Sequence, residues 1–208
     1  MSLENEPSNC GQCTTLNCSK LNSTYPTFCL TEATTDEEYD EIIRTYKEDP
    51  QTAAIAVVSA EVAAKGIGKL NRAQEIAEFA KGLGAKKVGI ASCVGLVKEA
   101  KAFIRYLDSQ GIKSYSVLCK VGAIDKSVIN VPKSKESHES ICNPLLQAHI
   151  LAKEKTDLNV ITGLCVGHDA LFIKYSQAPT TYLIVKDRVN AHNPAAGLAA
   201  LEKDCKNN

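Results

Sequence analysis

The stretch LNVITGLCVGHDALF, residues Leu158 to Phe172, decides the fold class. LNVITG (158–163) is an apolar run of strand length, and HDALFIKYSQ (168–177) reads as a helix. Cys165, His168 and Asp169 fall on the turn between them. The earlier stretch GIASCVGLVKEA (89–100) repeats Cys-Val-Gly at the same kind of boundary. Cysteines therefore stand where strands hand over to helices, and do so more than once.

Working outward, KVGIAS (87–92), KSYSVL (113–118) and TTYLIVK (180–186) read as further strands. GLVKEAKAFIRYLDSQG (95–111), NPLLQAHILAKEK (143–155) and NPAAGLAALEKDC (193–205) read as helices between and after them. Asn143 caps the second of these, with Pro144 at its first position. Residues 120–138 are irregular and contain Pro132. Four apolar strands separated by helices predict an α/β fold: a parallel sheet of about four strands, helices on both faces and right-handed crossovers.

The chain before residue 86 has another texture. TTDEEYDEIIRTYKED (34–49) is a helix with Thr35 as N-cap and acidic residues in its first turn, ended by Pro50. Residues 51–65 form an alanine-rich helix. Asn71 caps a third helix over 72–84. The first 34 residues are polar and hold Cys10, Cys13, Cys18 and Cys29. Without hydrophobic periodicity they read as a loop-built metal knuckle. The expected division is a cysteine-rich metal-binding segment over 1–34 and an α/β domain over 35–208. That domain comprises a helical lead-in (35–85) and the alternating part (86–205).

The 208 residues suffice for one domain with a small appendage. Lys plus Arg and Asp plus Glu both number 24, so the net charge is zero. Nucleic acid or an anionic membrane would favour a basic surface, and neither is expected as partner. No run of 18 apolar residues predicts a transmembrane helix, and the first residues lack a signal-peptide pattern. The expected location is the reducing cytoplasm. There, nine cysteines point to metal or redox chemistry. Cys205, in the charged tail, reads as a spare exposed thiol.

The first constellation is Cys10-x2-Cys13-x4-Cys18-x10-Cys29. A tight turn can present the first two sulfurs to one ion or cluster, and four thiolates suit iron–sulfur or zinc. A zinc ribbon carries a second Cys-x2-Cys, which is lacking, and the uneven spacing favours an iron–sulfur cluster. Metal binding would also order a segment with little apolar content, since binding energy becomes folding energy.

The second constellation is Cys93, Cys119 and Cys165, ending the first three strands, with Cys142 before the Asn143-Pro144 helix start. A parallel sheet puts all strand carboxyl ends on one edge, where ligands bind. Four cysteines there would ligate a second centre, or supply a redox or nucleophilic thiol for a small-molecule substrate or redox partner. The plainer alternative is buried cysteine acting as a small hydrophobe. Gly95 and Gly167 open helices after their strands, and their free N–H groups suit an anion or a thiolate. His168 is a candidate proton donor or ligand; Asp169 complements a helix dipole. Lys120, Lys186, Arg188 and His192 form a cationic rim suited to thiolates or an anionic substrate, unless Lys186-Asp187-Arg188 is only a solvated turn. There is no Walker loop, Gly-x-Gly-x-x-Gly fingerprint or Gly-x-Ser-x-Gly elbow.

Together the N-terminal cysteines, GIASCVGLVKEA, CNPLLQAH, GLCVGHDALF and VKDRVNAHNP resemble an uncharacterised family of small cysteine-rich proteins from archaea and anaerobic bacteria, described as predicted metal-binding. The resemblance spans nearly the whole chain, and GLCVGHD is its most specific piece. It implies metal binding in an anaerobe's cytoplasm and supplies no reaction. The leading expectation is an iron–sulfur protein with redox or sulfur-transfer chemistry at the second site. The alternative is a non-enzymatic zinc-binding sensor or carrier.

Overall fold

The computed structural model describes residues 9–20 and 24–206. The chain divides into two compact units, Met1–Val57 and Val58–Asn208.

In the first unit, 3-10 turns at Cys10–Gln12 and Asn17–Ser19 are followed by a short helix α1 (Leu30–Ala33). This corrects the expectation of a segment built from loops alone. Cys10 and Cys13 bracket a turn closed by the Cys13 N–H donating to the Cys10 carbonyl at 3.1 Å. Helix α2 (Asp36–Glu48) starts with a capping box: Thr35 accepts from the Glu38 amide and Glu38 from the Thr35 amide. Two otherwise orphaned N–H groups are satisfied in this way. Pro50 is the first residue of α3 (Pro50–Gly66), where its missing N–H costs no hydrogen bond.

The second unit contains most of α3, then α4 (Arg72–Gly82), β1 (Lys87–Ser92), α5 (Val97–Ser109), β2 (Lys113–Leu118), α6 (Pro144–Lys153), β3 (Leu158–Thr162), α7 (Val166–Tyr175), β4 (Thr180–Ile184) and α8 (Pro194–Lys206). The four strands form one sheet in the order β2-β1-β3-β4, and every pairing is parallel. The central strands β1 and β3 are apolar on both faces and almost wholly buried, as a doubly covered parallel sheet requires.

Period-2 alternation sorts the core into two layers. Val88 and Ile90 of β1 and Leu158 and Val160 of β3 pack against Ile76, Ala77 and Ala80 of α4 and Ala100, Phe103 and Leu107 of α5. On the other face, Ala91 and Ile161 pack against Ala148 and Leu151 of α6 and Phe172 of α7. Each such fully buried large side chain contributes about 1.5–3 kcal/mol. Gly89 faces Asn159 across the strands. A Cβ at Gly89 would lie 2.2 Å from the Asn159 Oδ1, so only glycine fits beside this buried amide. Asn159 is itself satisfied: Oδ1 accepts from Thr156 at 2.8 Å, and Nδ2 donates to Ser176 at 2.8 Å.

Some boundaries differ from the sequence expectation. A 3-10 turn, Val94–Leu96, intervenes before α5. Helix α7 begins at Val166, two residues earlier than expected, because Cys165 already takes the extended N-cap conformation. Strand β4 stops at Ile184 after a register irregularity at Ile161/Thr162. Such a bulge redirects the chain that follows, here the segment carrying Lys186 and Arg188.

Candidate thiol site at the carboxyl edge

In the order β2-β1-β3-β4, β1 and β3 are neighbours whose connections leave in opposite directions. Their carboxyl ends therefore flank the crevice where doubly wound sheets bind ligands. Cys93 follows β1 directly and is 8% exposed; Cys119 follows β2 directly and is 2% exposed. Ser92 and Leu118 are the last paired residues of the two strands. The Cys119 amide extends the ladder by donating to the Ser92 carbonyl at 2.8 Å. Both cysteines lie in the core layer beneath α6 and α7, with Cys142 packed against it.

Cys142 arrives there because α6 is pinned at its N-terminus. Asn143 caps the helix by accepting from the Leu146 amide, and its own amide donates to the Cys119 carbonyl at 2.7 Å. Buried Gln147 donates to the carbonyls of Val117 at 2.7 Å and Ser92 at 3.2 Å. It thus ties α6 to the ends of β2 and β1. Sequence reasoning missed Gln147, although a lone amide in the apolar run LLQAHI was the available signal.

The surroundings of Cys93 favour a thiolate. Burial alone would raise its thiol, but the Lys186 ammonium and the Gly95 N–H reverse that, and Cys93 lies below the ordinary thiol value. The Gly95 amide is 3.4 Å from Sγ. The Cys119 thiol adds to this lowering. Cys119 itself is pushed up to about 12 by burial, against the Val94 N–H and with Cys142 and Cys93 adding to the rise. The Val94 amide points at its sulfur from 3.5 Å. One thiol of the pair is thus poised to ionise while its neighbour keeps its proton.

Cys165 is half-buried, and the Arg188 guanidinium donates to its sulfur at 3.4 Å. Arg188 also lies within electrostatic reach of Cys93 and Cys142. The loop carrying it is built on Asp187, which accepts from the amides of Val189 and Asn190, both at 3.0 Å. His192 closes that loop by accepting from the Asp187 amide at its Nδ1, 3.1 Å away. His192 therefore supports the turn that carries Arg188. Gly167 lies in the first turn of α7, and Cys165 provides no side-chain cap there.

Burial and the ammonium groups of Lys120 and Lys186 push His168 below its ordinary value, so its ring is neutral at pH 7. Asp169 is buried, not merely a dipole partner on the helix surface. Burial pushes its carboxyl up to about 6, against the pull of Lys186. Its Oδ1 has no hydrogen-bond partner among the described residues. Tyr182 is raised by burial and by Asp169. A cavity of about 460 Å³ lies against β2, lined in part by Val94, Leu118, Lys120 and Val121.

Among the described residues, no three Cys, His, Asp or Glu side chains are gathered so as to hold a metal ion. The edge thiols are neighboured instead by cations. Of the N-terminal set, Cys10 and Cys18 are exposed and Cys13 and Cys29 half-buried. No helix among the described residues is long and apolar enough to cross a membrane.

Fold and edge define a parallel α/β protein whose strand ends carry cysteines. The chain belongs to the family described as "Protein of unknown function (DUF1847)", whose model matches residues 29–183. That span includes Cys29, Cys93, Cys119, Cys142, Cys165 and His168, and leaves Cys10, Cys13, Cys18, Lys186, Arg188 and His192 outside. The chain is 50% identical over 158 residues to the uncharacterized protein MJ0455 of Methanocaldococcus jannaschii, covering 76% of this chain and 81% of that protein. No solved structure matches the chain.

Proposed function

We propose that the chain is a thiol-dependent enzyme performing redox or sulfur-transfer chemistry on a small molecule, with the Cys93 thiolate as nucleophile. One observation carries the reading. The Gly95 N–H points at the Cys93 sulfur from 3.4 Å beside the crevice of the sheet, and the Lys186 ammonium acts on the same thiol. A cysteine serving only as a small hydrophobe has no use for a backbone donor and a nearby cation, whereas a nucleophile is activated by them. Lys120, Lys186, Arg188 and the uncapped start of α7 suit a substrate bearing negative charge.

The test is alkylation of the intact protein with iodoacetamide between pH 5 and 10, followed by peptide mapping. Cys93 should label with a midpoint below the ordinary thiol value of about 8.5, and Cys119 should resist throughout. A Cys93 midpoint at or above that value would overturn the reading.

The first four cysteines support a separate proposal, a metal site. Among the described residues up to 34 none is buried, so this segment lacks apolar burial to hold it. Cys10, Cys13, Cys18 and Cys29 are donors suited to iron–sulfur or zinc, and a bound centre would supply that missing folding energy. Anaerobic purification with metal and sulfide analysis decides it. Iron with acid-labile sulfide, lost in Cys13→Ser while the sheet stays folded, is expected. Zinc without sulfide selects the zinc-binding alternative, and protein free of both sinks the site.

A further inference from the structure

The paired ends of β1 and β2 carry an inference that rests on the reading of Cys93 as a reactive thiolate and goes beyond it. We propose that Cys93 and Cys119 act together as a dithiol that reduces a disulfide bond in a small anionic substrate, Cys93 attacking and Cys119 resolving.

The geometry comes from the strand register. Ser92 and Leu118 are paired neighbours on parallel strands, and the ladder continues through the Cys119 amide to the Ser92 carbonyl at 2.8 Å. Cys93 and Cys119 are the next residues on each chain. Adjacent strands run about 4.7–4.9 Å apart, inside the Cα separation of about 4.4–6.8 Å that a disulfide bridges. Both side chains enter the same core layer, and each thiol affects the ionisation of the other. Neither strand needs to move far for an S–S bond to form. Cys165, by contrast, is engaged by Arg188 at 3.4 Å.

The chemistry balances in two steps. The Cys93 thiolate attacks one sulfur of a substrate R–S–S–R′, forming Cys93–S–S–R and releasing R′–S⁻. The Cys119 sulfur then attacks Cys93 Sγ, its proton passes to the departing sulfur, and R–SH leaves. The substrate gains two electrons and the cysteine pair loses two, ending as a Cys93–Cys119 disulfide. A thiol or dithiol reductant of the cell must return the pair to its starting state.

The environment orders these steps. While Cys93 is charged, its negative charge opposes ionisation of Cys119. The first attack consumes that charge and removes this opposition. The Val94 N–H, 3.5 Å from the Cys119 sulfur, then stabilises the charge developing there. Resolution is therefore held back until the substrate is attached. Lys186 and Arg188 favour substrates whose groups beside the disulfide are anionic.

The experiment treats the reduced full-length protein, under argon, with a limiting amount of the anionic aromatic disulfide 5,5′-dithiobis(2-nitrobenzoate). Free thiols are then alkylated in acid and peptides mapped by mass spectrometry. The expected product is a Cys93–Cys119 linked peptide, with two equivalents of aromatic thiolate released for each equivalent of reagent consumed there. In Cys119→Ser, which keeps a small polar group at that position, the reaction should stop with the aromatic adduct on Cys93 and release one equivalent. An adduct persisting on Cys93 in the unaltered protein, or a link from Cys93 to Cys142 or Cys165, overturns the resolving role of Cys119 and leaves the nucleophile reading standing. No modification of Cys93 at all overturns both. The linked-peptide measurement needs no variant, so it stands even if Cys119→Ser fails to fold.

Discussion

Lys186 draws the Cys93 thiol below its ordinary value, although β4, which delivers the lysine, and β1, which delivers the cysteine, are separated by β3. The lysine chain must cross the carboxyl end of β3 to arrive. It passes Gly163, where a Cβ would lie 3.6 Å from the Lys186 Cε. The contact makes one site out of two strand ends that the sheet itself keeps apart.

Removing the Lys186 charge should therefore be felt at Cys93. Lys186→Met keeps most of the length of the side chain and deletes the ammonium. Burial then acts on Cys93 with less opposition, so the alkylation midpoint of Cys93 should move up. A midpoint higher by one pH unit lowers the thiolate fraction near neutrality about tenfold. The expected result is a loss of roughly tenfold in the labelling rate at pH 7, with the rate recovered at pH 10. An unchanged midpoint would remove Lys186 from the site.

Gly163 should not tolerate a side chain. It holds φ at +60°, a conformation that costs an L-residue about 1–2 kcal/mol. An added Cβ would also meet the Leu96 Cδ1 at 2.1 Å, in the turn that follows Cys93. Overpacking of this kind costs about 1–3 kcal/mol. Gly163→Ala should lower the urea midpoint accordingly, and displacement of Leu96 should disturb the Gly95 amide that faces Cys93. A variant as stable as the parent would mean that the end of β3 is softer than its packing implies.

The sheet was legible because its strands are short apolar runs bounded by helices, and β1 and β3, buried on both faces, display that pattern most clearly. The positions of Cys93 and Cys119 directly after their strands followed from the same pattern, whereas Cys165 lies three residues past β3 as the N-cap of α7. The strand order was not legible, since pairing of β1 with both β2 and β3 depends on helices packing in layers and not on any one strand's sequence. Without it, the pairing of the ends of β1 and β2, which sets Cys93 and Cys119 on neighbouring strands, was hidden. The burial of Asp169 was also hidden. An acid in a first helical turn reads as a dipole partner, and only the fold places it in the interior, within electrostatic reach of Tyr182 and Lys186.

Asp169 should cost the fold stability above pH 6. Its folded value of about 6 stands above the ordinary carboxyl value of 3.8. Between these two pH values the folded state holds the proton that the unfolded state has lost. Stability therefore falls as pH rises through this window and stays low beyond it. Asp169→Asn removes the titration. It should stabilise the protein at pH 8 by an amount on the order of 2 kcal/mol and do little at pH 4. Urea unfolding at the two pH values measures it, and an equal effect at both would show that the carboxyl is not held in its neutral form.

The connection between β2 and α6 should respond to acid in the opposite direction. Asp125 is held well below the usual carboxylate range, first by the Ser127 hydroxyl and then by the Glu139 amide, with Lys133 adding to the effect. Glu139 is held down at about 2, chiefly by Lys126 and then by the Ser134 amide. Both folded values lie below the unfolded ones, so their contribution is complete above about pH 4.5 and lost as pH falls toward 2. These carboxylates organise residues 125–140, and the loop continues to Cys142 and the start of α6. β1 and β3 are instead held by apolar burial, which does not titrate. Amide protection factors, corrected for the intrinsic pH dependence of exchange, should therefore fall across 125–140 below pH 4 while those of β1 and β3 persist. Loss of protection in the loop and the central strands at the same pH would show that the connection has no separate carboxylate-based stability.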